Sequence, residues 1–446
     1  MSTSTSLPPP SDAPFCAADL ADLWPALSPE ERAEAFKLLS HTDAERFFQE
    51  LSSADQAELL CALTDSDRRL WMRVLPPDDA ADLVQAAPLE YRAKLLEALD
   101  EPTRKEVNVL LAYAEDDAGG LMNPRFARVR ADMTVDEAIS YVRRQTRERA
   151  VTIYSVYVLD QEQHLLGALS LRDLFEARPD TLVRDVMRRD VVVVDEHTDQ
   201  EEVSKLFAKH HLLAIPVVDR DSRVVGVITV DDAVHVAEEE ATEDIQKLGG
   251  NEVLGAPYMK IAFAGMVKKR AGWLSALFLG EMLTATAMGY FENEIAKAVV
   301  LALFVPLIIS SGGNSGSQAT TLVIRAMALG EVRLRDWWRV ARREISAGIA
   351  LGMVLGLIGM VRILTWQALF HTYGTHATVI ALTVGASLVG VVTFGTLAGS
   401  MLPFVLRKLG FDPASASAPF VATLVDVTGL VIYFSVASVI LGGTLL

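Results

Sequence analysis

The hydrophobic pattern changes character near residue 260 of this 446-residue chain. Downstream lie five apolar stretches, and each is long enough for a helix that crosses a bilayer, which needs about 20 residues. They cover residues of about 271–291, 295–328, 344–369, 378–405 and 418–445. Upstream, apolar residues recur at helix or strand spacing between polar ones, as in soluble domains. We therefore predict a multidomain chain whose residues 271–446 form an all-α, five-span transmembrane domain.

Short amphipathic helices are predicted over residues of about 17–113. Segments such as Leu27-Ser-Pro-Glu-Glu31 and Leu75-Pro-Pro-Asp-Asp79 place helix-starting residues ahead of helical apolar patterns. These starts recur roughly every dozen residues, which is typical of stacked short helices. We assign residues 16–120 to an acidic, all-α, solenoid-like N-domain. Residues 1–15 are rich in Ser, Thr and Pro and are predicted to be a disordered leader.

A second pattern of strands and helices occurs twice, in residues 121–186 and 187–240. Val156–Asp160 and Leu166–Asp173 in the first copy match Ile215–Asp219 and Val225–Asp232 in the second. Each copy is predicted as strand, helix, two strands and helix, with a Gly-x-x-Ser/Thr-x-x-Asp ending. This arrangement resembles tandem cystathionine-β-synthase (CBS) domains, which implies an α/β regulatory pair.

The ending of each copy carries the candidate nucleotide-binding residues. The resemblance to CBS domains implies that Ser170 with Asp173, and Thr229 with Asp232, hold an adenosine ribose. ATP is therefore a candidate regulatory ligand. Helix N-capping by the hydroxyl explains the same residues without any ligand.

Charge divides the chain in the same way as hydropathy. Residues 1–260 hold 28 basic and 50 acidic side chains, whereas residues 261–446 hold 13 basic and 8 acidic ones. The acidic front part disfavours nucleic acid as a partner. Basic residues cluster before the first span, between the second and third, and between the fourth and fifth. The positive-inside rule therefore predicts a multi-pass cell (inner) membrane protein with a cytoplasmic N-terminus and an extracytoplasmic C-terminus.

Asp426 lies near the middle of the last apolar stretch. A carboxylate at that depth costs about 2.5–3.5 kcal/mol, so such residues usually face a partner or a water-filled path. A group that only accepts hydrogen bonds is suited to a cation. We therefore predict that Asp426 lines a cation path.

The second apolar stretch contains the polar run Ser310–Gln318, which is rich in Gly and Ser. Low helix propensity predicts a break here, with freed carbonyls near Gly313 and the amide of Asn314 available to a hydrated cation. A small-residue surface that lets helices pack closely is the alternative.

Other polar or small residues in the spans are weaker signals. Glu281 and Arg362 are candidates for a mutual ion pair, although Arg362 can also extend toward the membrane surface. The Gly series of the third span, at Gly348, Gly352, Gly356 and Gly359, is interpreted as a packing face.

Residues 241–270 are assigned to a connecting helical segment, in which a helix of about 257–270 enters the first span. The approach to it, from Ala237 to Asp244, is dense in carboxylates. Carboxylates one helical turn apart repel each other unless a basic group or a divalent ion lies between them.

Taken in order, these segments resemble the MgtE family of magnesium channels over nearly the whole chain. The motifs that carry the resemblance are Glu115–Met122, Ala241–Ile245, Gly312–Gln318, Arg335–Arg339, Met401–Phe404 and Pro419–Leu430. The resemblance implies a homodimer in membrane lipid, with the pore on the two-fold axis. It also implies that Asp426 of each protomer holds hydrated Mg²⁺, with Asn314 and backbone oxygens near Gly313 and Ala422.

The resemblance further implies Mg²⁺-sensing acids in the cytosolic part. They are Asp117, Asp199, Glu201, Asp232, Glu240, Glu243 and Asp244. His211 and His235 stand where carboxylates are expected, which leaves the Mg²⁺ concentration for closure open.

The sequence therefore leads to one function with two alternatives. We expect a Mg²⁺-selective channel that imports magnesium and is closed by Mg²⁺ bound to the acidic cytosolic domains. A secondary transporter that exchanges cations is the first alternative, because broken helices and midplane acids also mark transporters. A nucleotide-binding regulatory protein or enzyme is the second. The chain has no His-Glu-x-x-His, Gly-x-Ser-x-Gly or phosphate-loop motif, so we expect no enzymatic activity.

Overall fold

The computed structural model describes residues 15–148, 152–254, 258, 261–297 and 299–442. It divides into two compact units, Met1–Glu238 and Glu239–Leu446. The predicted leader, apart from residue 15, lies outside the described residues.

Within its described residues, the first unit begins with nine short helices. The predicted start residues Ser28, Ser52 and Thr64 each accept a hydrogen bond from the backbone of the first turn that follows, and so does Ser40. The helices are α1 (Ala17–Leu23), α2 (Pro29–Phe36), α3 (His41–Glu50), α4 (Ser53–Ala62), α5 (Asp65–Met72), α6 (Pro77–Ala86), α7 (Leu89–Ala98), α8 (Glu101–Leu110) and α9 (Ala118–Leu121). The predicted helical N-domain is confirmed.

The N-domain is held together by a buried aromatic cluster. The Trp71 ring packs edge-on against Phe36, with centroids 5.0 Å apart, and also contacts Phe48. Phe48 is fully buried. Burial of side chains of this size typically contributes about 1.5–3 kcal/mol each.

Two α/β repeats follow the N-domain. The first comprises β1 (Phe126–Arg130), α10 (Val135–Glu148), β2 (Thr152–Leu159), β3 (Leu165–Ser170), α11 (Leu171–Glu176) and α12 (Val183–Val186). The second comprises β4 (Val194–Asp195), α13 (Gln200–His210), β5 (Ala214–Val218), β6 (Val224–Thr229) and α14 (Val230–Leu248).

The two repeats share one sheet topology within the described residues. In each, the first strand is parallel to the second, and the second is antiparallel to the third. Val156 pairs with Leu169 in one sheet, and Ile215 pairs with Ile228 in the other. The internal repeat found in the sequence is thus confirmed as a structural repeat.

The second unit is helical. Its elements are the end of α14, α15 (Phe263–Tyr290), α16 (Glu292–Lys297), α17 (Val299–Ala302), α18 (Val305–Ala328), α19 (Trp337–Phe370), α20 (Ala377–Lys408) and α21 (Ala418–Leu441). Within the described part of the chain, five helical segments are long and apolar enough to span a membrane. The five-span prediction is confirmed.

The glycine series of the third span forms a packing face, as predicted. All four glycines are buried on α19. A Cβ atom at Gly352 would lie 2.6 Å from the Cα atom of Val389 on α20, and one at Gly356 would lie 2.9 Å from the carbonyl oxygen of Gly385. The two backbones approach so closely that only glycine fits at these positions.

The predicted break at Ser310–Gln318 is wrong, because α18 continues through it. The chain is interrupted earlier, before α18, where Pro306 lies in the first turn. Tertiary packing outweighs the low helix propensity here. A Cβ at Gly312 would lie 2.6 Å from Val391 and 2.7 Å from Val425, so the glycines let α18 lie against α20 and α21. The alternative of close helix packing is therefore confirmed.

The helix predicted for residues 257–270 also differs from the structure. α14 ends at Leu248, and α15 begins at Phe263 and continues directly into the first span. Residues 255–257 and 259–260 lie outside the described residues.

Candidate cation-binding sites

Asp426 lies on α21, half-buried, beside the contact between α21 and α18. A Cβ atom at Gly313 would lie 3.5 Å from both Cα and Cβ of Ala422. Ala422 precedes Asp426 by one helical turn, so both residues share a face of α21. The structure therefore brings Gly313, Ala422 and the Asp426 face together, as the sequence predicted.

The neighbouring face of α18 is polar although the helix is otherwise apolar. Asn314 is exposed next to buried Gly313, and its Nδ2 atom donates to Ser310 Oγ at 3.4 Å. One turn further, Gln318 is also exposed. We call this exposed set the α18 polar stripe, formed by Ser310, Asn314, Gln318 and Thr321. It offers amide and hydroxyl oxygens, which are ligands suited to hard cations.

Because α18 and α21 are continuous helices, their backbone oxygens are less available to bind a cation than the sequence predicted. In a continuous helix the carbonyls at Gly313 and Ala422 accept intrahelical hydrogen bonds, so they are not freed as predicted. Each carbonyl keeps a second lone pair. They therefore suit water-mediated contact with a hydrated ion better than direct coordination.

Glu281 and Arg362, which the sequence suggested as a pair, form no ion pair within the described part of the chain. The guanidinium of Arg362 lies over the ring of Trp366, 5.2 Å from its centroid. Glu281 lies directly after Gly280, at which a Cβ atom would lie 2.9 Å from Thr423 Cγ2 on α21.

A second candidate site lies in the first unit, where Asp78, Asp79 and Asp232 converge. One carboxylate oxygen of each lies within 4.8 Å of the others. Asp78 and Asp79 occupy the first turn of α6, and Asp232 that of α14. Helix N-termini favour negative charge, which explains how the fold tolerates three acids together.

Hydrogen bonds hold two of these carboxylates in place. Asn123 Nδ2 donates to Asp78 Oδ1 at 3.1 Å, and Thr229 Oγ1 donates to Asp232 Oδ2 at 2.6 Å. Three converging carboxylates, two of them held by hydrogen bonds, offer the oxygen ligands that Mg²⁺ and Ca²⁺ prefer. We call this group the Asp78 cluster.

The Asp78 cluster is electrostatically strained. Burial and the neighbouring charges of Asp79 and Asp232 raise the pKa of Asp78 well above its ordinary value. Partial desolvation and the charges of Asp232 and Asp231 raise the pKa of Asp79 to about 6, while His235 opposes this shift. Burial also raises the pKa of Asp232. A divalent cation would relieve this repulsion, so the residues fit a metal.

A third group joins the end of the N-domain to the second repeat. Asp117 and Asp199 are bridge partners, and the Asp199 carboxylate accepts from the backbone N–H of Glu201 at 2.8 Å. His197 Nδ1 lies 3.0 Å from Asp117 Oδ2. This hydrogen bond raises the pKa of His197. The structure thus brings the predicted acids Asp117 and Asp199 together and adds the imidazole of His197, which the sequence did not reveal. The carboxylate of the predicted acid Glu201 instead pairs with Lys205 at 2.7 Å.

The predicted acids Glu240, Glu243 and Asp244 lie on α14 at one-turn spacing. Lys247 forms an ion pair with Glu243 and a second one, at 2.6 Å, with Asp412 in the α20–α21 connection. Although desolvation lowers it, hydrogen bonds to Asp412 and Glu243 raise the pKa of Lys247. A basic group thus relieves the repulsion, one of the two options that the spacing left open.

The candidate nucleotide residues act as helix N-caps. Ser170 Oγ accepts from the backbone N–H of Asp173 at 3.1 Å, and Asp173 Oδ2 accepts from the backbone N–H of Ser170 at 2.9 Å. Arg188 Nη2 lies 3.4 Å from Asp173 Oδ1. In the second motif the Thr229 backbone N–H likewise donates to Asp232 Oδ2, at 3.2 Å, but the Thr229 hydroxyl also donates to that carboxylate. Capping by the hydroxyl is therefore seen at Ser170, and nucleotide binding stays a prediction at both motifs.

Asp78 and Asp79 are the site residues that sequence reasoning missed. The sequence marked Leu75-Pro-Pro-Asp-Asp79 only as a helix start. Their partner Asp232 lies about 150 positions later. No local pattern links residues at that separation, so the pairing required the fold.

Comparison with known proteins supports the kinds of domain that we assigned and their order along the chain. Residues 16–116 match the MgtE intracellular N domain, and residues 118–180 and 183–239 match CBS domains. Residues 305–436 match the MgtE family described as divalent cation transporter. The domain boundaries predicted from the sequence stay predictions.

Named relatives match most of the chain. The magnesium transporter MgtE of Thermus thermophilus is 44% identical over 426 residues, covering 95% of this chain and 92% of the relative. The magnesium transporter MgtE of Enterococcus faecalis is 37% identical over 334 residues, covering 75% and 71%. A crystal structure of the cytosolic domain of the Mg²⁺ channel MgtE in complex with ATP is 42% identical, covers 50% of this chain and 90% of that chain, and has a TM-score of 0.46. These relatives carry the names of transporters, not of enzymes. The chain belongs to the MgtE family of magnesium transporters, which are multi-pass proteins of the cell membrane.

Proposed function

We propose that this protein is a Mg²⁺-selective channel that imports magnesium and closes when Mg²⁺ binds its cytosolic acids. The observation that carries the proposal is the half-buried carboxylate of Asp426 beside the exposed α18 polar stripe. Both flank the contact between Gly313 and Ala422. A carboxylate and a row of hydroxyls and amides facing lipid would be unfavourable, so this face suits an aqueous path.

We also propose a homodimer, because the face that carries the α18 polar stripe and Asp426 is open to the surface in a single copy. In one copy, the α18 polar stripe and Asp426 lie at the surface of the membrane unit. A second copy related by a two-fold axis would enclose the path between two such faces and bring two Asp426 carboxylates together. Two negative charges suit a divalent cation, and Mg²⁺ dehydrates reluctantly, so it would pass with several waters.

Closure is proposed to use the cytosolic acid groups. At low Mg²⁺ the carboxylates within the Asp78 cluster repel one another, and so do neighbouring carboxylates along α14. Bound Mg²⁺ removes that repulsion in the compact state. A ligand shifts such an equilibrium only by its different affinity for the two states. The end of α14 is well placed to act on the pore, since Leu248 packs with Ile324 and Ala414.

Orientation and nucleotide binding belong to the same proposal. By the positive-inside rule, the basic loops favour an N-terminus in the cytoplasm and a C-terminus outside. ATP is proposed as a regulatory ligand at Ser170 and Asp173. The second motif is disfavoured, because Asp232 lies beside Asp78 and Asp79, where a triphosphate would meet negative charge.

The test is Mg²⁺ uptake in a host that needs external Mg²⁺ for growth. Asp426→Asn and Asp426→Ala are expected to lose uptake or selectivity, because neither keeps the charge, whereas Asp426→Glu should retain part of the flux. Glu331→Gln, in an exposed loop, is the matched control for loss of one negative charge. Wild-type uptake by Asp426→Asn would refute the proposal. Flux that requires a counter-ion gradient, in addition to the Mg²⁺ gradient and voltage, would indicate an exchanger instead.

A further inference from the structure

Glu281 is a second carboxylate within a membrane span. It lies in α15, about as far from the Lys268-Lys269-Arg270 group as from the helix end at Tyr290. Its side chain has no ion pair with a cation in the part of the chain that the structure describes. A charged side chain at such depth costs free energy, so residues of this kind usually serve a function.

The fold brings α15 against α21 just before Asp426. The half-buried positions of α15 form one stripe that includes Trp273, Gly280 and Thr284. A Cβ atom at Gly280 would lie 2.9 Å from Thr423 Cγ2, so the glycine allows close contact one turn before Asp426. Trp273 contacts Phe420 with ring centroids 6.3 Å apart, so α15 and α21 run in parallel.

Two further observations place polar groups at this contact. Glu281 is exposed at the edge of the stripe, directly after Gly280, the residue that lies against Thr423 of α21. The Thr284 hydroxyl, three residues later on the same side of α15, is buried without a hydrogen-bond partner among the described residues. Both polar groups therefore lie on the flank of Asp426.

We propose that Glu281 is a specificity-determining residue of the cation path, which increases the preference of the Asp426 site for a divalent cation. This inference rests on the proposed function, since it assigns Glu281 to the site of Asp426. Two like charges on neighbouring helices repel, and a cation between or near them removes the repulsion. The attraction from Glu281 is twice as large for a divalent as for a monovalent ion at the same distance.

The experiment is flux in proteoliposomes that contain the full-length protein, with Mg²⁺ alone and with Mg²⁺ against K⁺. For Glu281→Gln we expect the Mg²⁺ concentration for half-maximal flux to rise about tenfold, together with a loss of discrimination against K⁺. Glu281→Asp keeps the charge and should retain the discrimination. Glu292→Gln removes an exposed charge just beyond the same helix and is the matched control.

A cysteine variant tests the charge directly. Glu281→Cys, labelled with a negatively charged thiosulfonate reagent, should regain discrimination, while a neutral reagent of similar size should not. Wild type treated with each reagent controls for Cys16 and Cys61. This second variant also answers the question if Glu281→Gln does not reach the membrane.

The outcomes separate the two proposals. Unchanged concentration dependence and discrimination in Glu281→Gln, while Asp426→Asn loses flux, would overturn this inference alone. Unchanged flux in Asp426→Asn would overturn the proposed function. Equal recovery with the neutral and the negative reagent would also overturn the inference, because it would show a role of side-chain volume and not of charge.

Discussion

The Asp78 cluster leads to a prediction about the first unit that does not depend on transport. Asp79→Asn removes one of three converging negative charges while it keeps the size of the side chain. Without Mg²⁺, the variant should therefore hold α6 more firmly in place than wild type at neutral pH. With Mg²⁺, it should gain less than wild type, because a metal ligand is lost.

The magnitude follows from the pKa of Asp79. A rise from 3.8 to about 6 is about 2 units, and at about 1.4 kcal/mol per unit the upper limit is about 3 kcal/mol. Part of the Asp79 side chain is open to solvent. Screening by solvent reduces the expected gain in the free energy of unfolding to about 1 kcal/mol.

The sign of the pH dependence is fixed by the raised pKa. Above pH about 6, Asp79 is ionised in the folded protein, and the whole penalty applies. Below pH about 4, the carboxyl is protonated in both folded and unfolded states, and the penalty disappears. The advantage of Asp79→Asn should therefore shrink as the pH falls from about 6 to about 4. Mg²⁺ affinity of the wild-type cluster should fall over the same range, because protons compete with the metal.

Amide hydrogen exchange of α6 in the full-length protein is a suitable assay, because it reports the local opening free energy. At a Mg²⁺ concentration of about 100 times the dissociation constant, a single site should add about 2.7 kcal/mol to wild type. Glu97→Gln, on an exposed position of α7, is the matched control. Two results would refute the reasoning: equal Mg²⁺ protection in wild type and Asp79→Asn, or weaker protection of the variant without Mg²⁺ at neutral pH.

Two further predictions concern the membrane unit and the connecting helix. Gly352→Ala should destabilise the protein by about 1–3 kcal/mol, because its Cβ would lie 2.6 Å from the Cα atom of Val389. Gly359→Ala should be tolerated, because its Cβ would lie 3.4 Å from the nearest atom, Leu388 Cδ1. Thermal unfolding in detergent compares the two variants, and equal losses of stability would argue against close packing at Gly352. Neutralising Glu240, Glu243 and Asp244 together should leave the pore conducting at higher internal Mg²⁺, measured as flux against internal Mg²⁺ concentration. Unchanged inhibition in that triple variant would count against a sensing role of α14.

The fold was predictable where one physical rule dominates. The length of the apolar stretches predicted the five spans, and the caps at Ser28, Ser52 and Thr64 marked the short helices. The repeated strand and helix order revealed the two α/β repeats. In each case the signal is local and does not depend on a distant partner.

The prediction failed where a local rule met tertiary packing. The run Ser310–Gln318 has poor helix propensity, yet α18 stays helical because Gly312 and Gly316 lie against α20 and α21. Propensity differences of up to about 1 kcal/mol per glycine are outweighed by packing along a membrane helix. Similarly, no sequence pattern could place Asp79 beside Asp232, since only the approach of α6 to α14 brings them together.

The acids of this protein fall into two physical kinds. Those outside the membrane spans are held by neighbouring groups, as with Asn123 at Asp78, His197 at Asp117 and Lys247 at Glu243. A metal that binds there must share or displace these partners, so the affinity is reduced and the site suits sensing of an abundant ion. Asp426 has neither a hydrogen-bond donor nor a cationic partner among the described residues. Its charge is compensated only when a cation is present, and a site of that kind favours passage of the ion over a permanent structural contact.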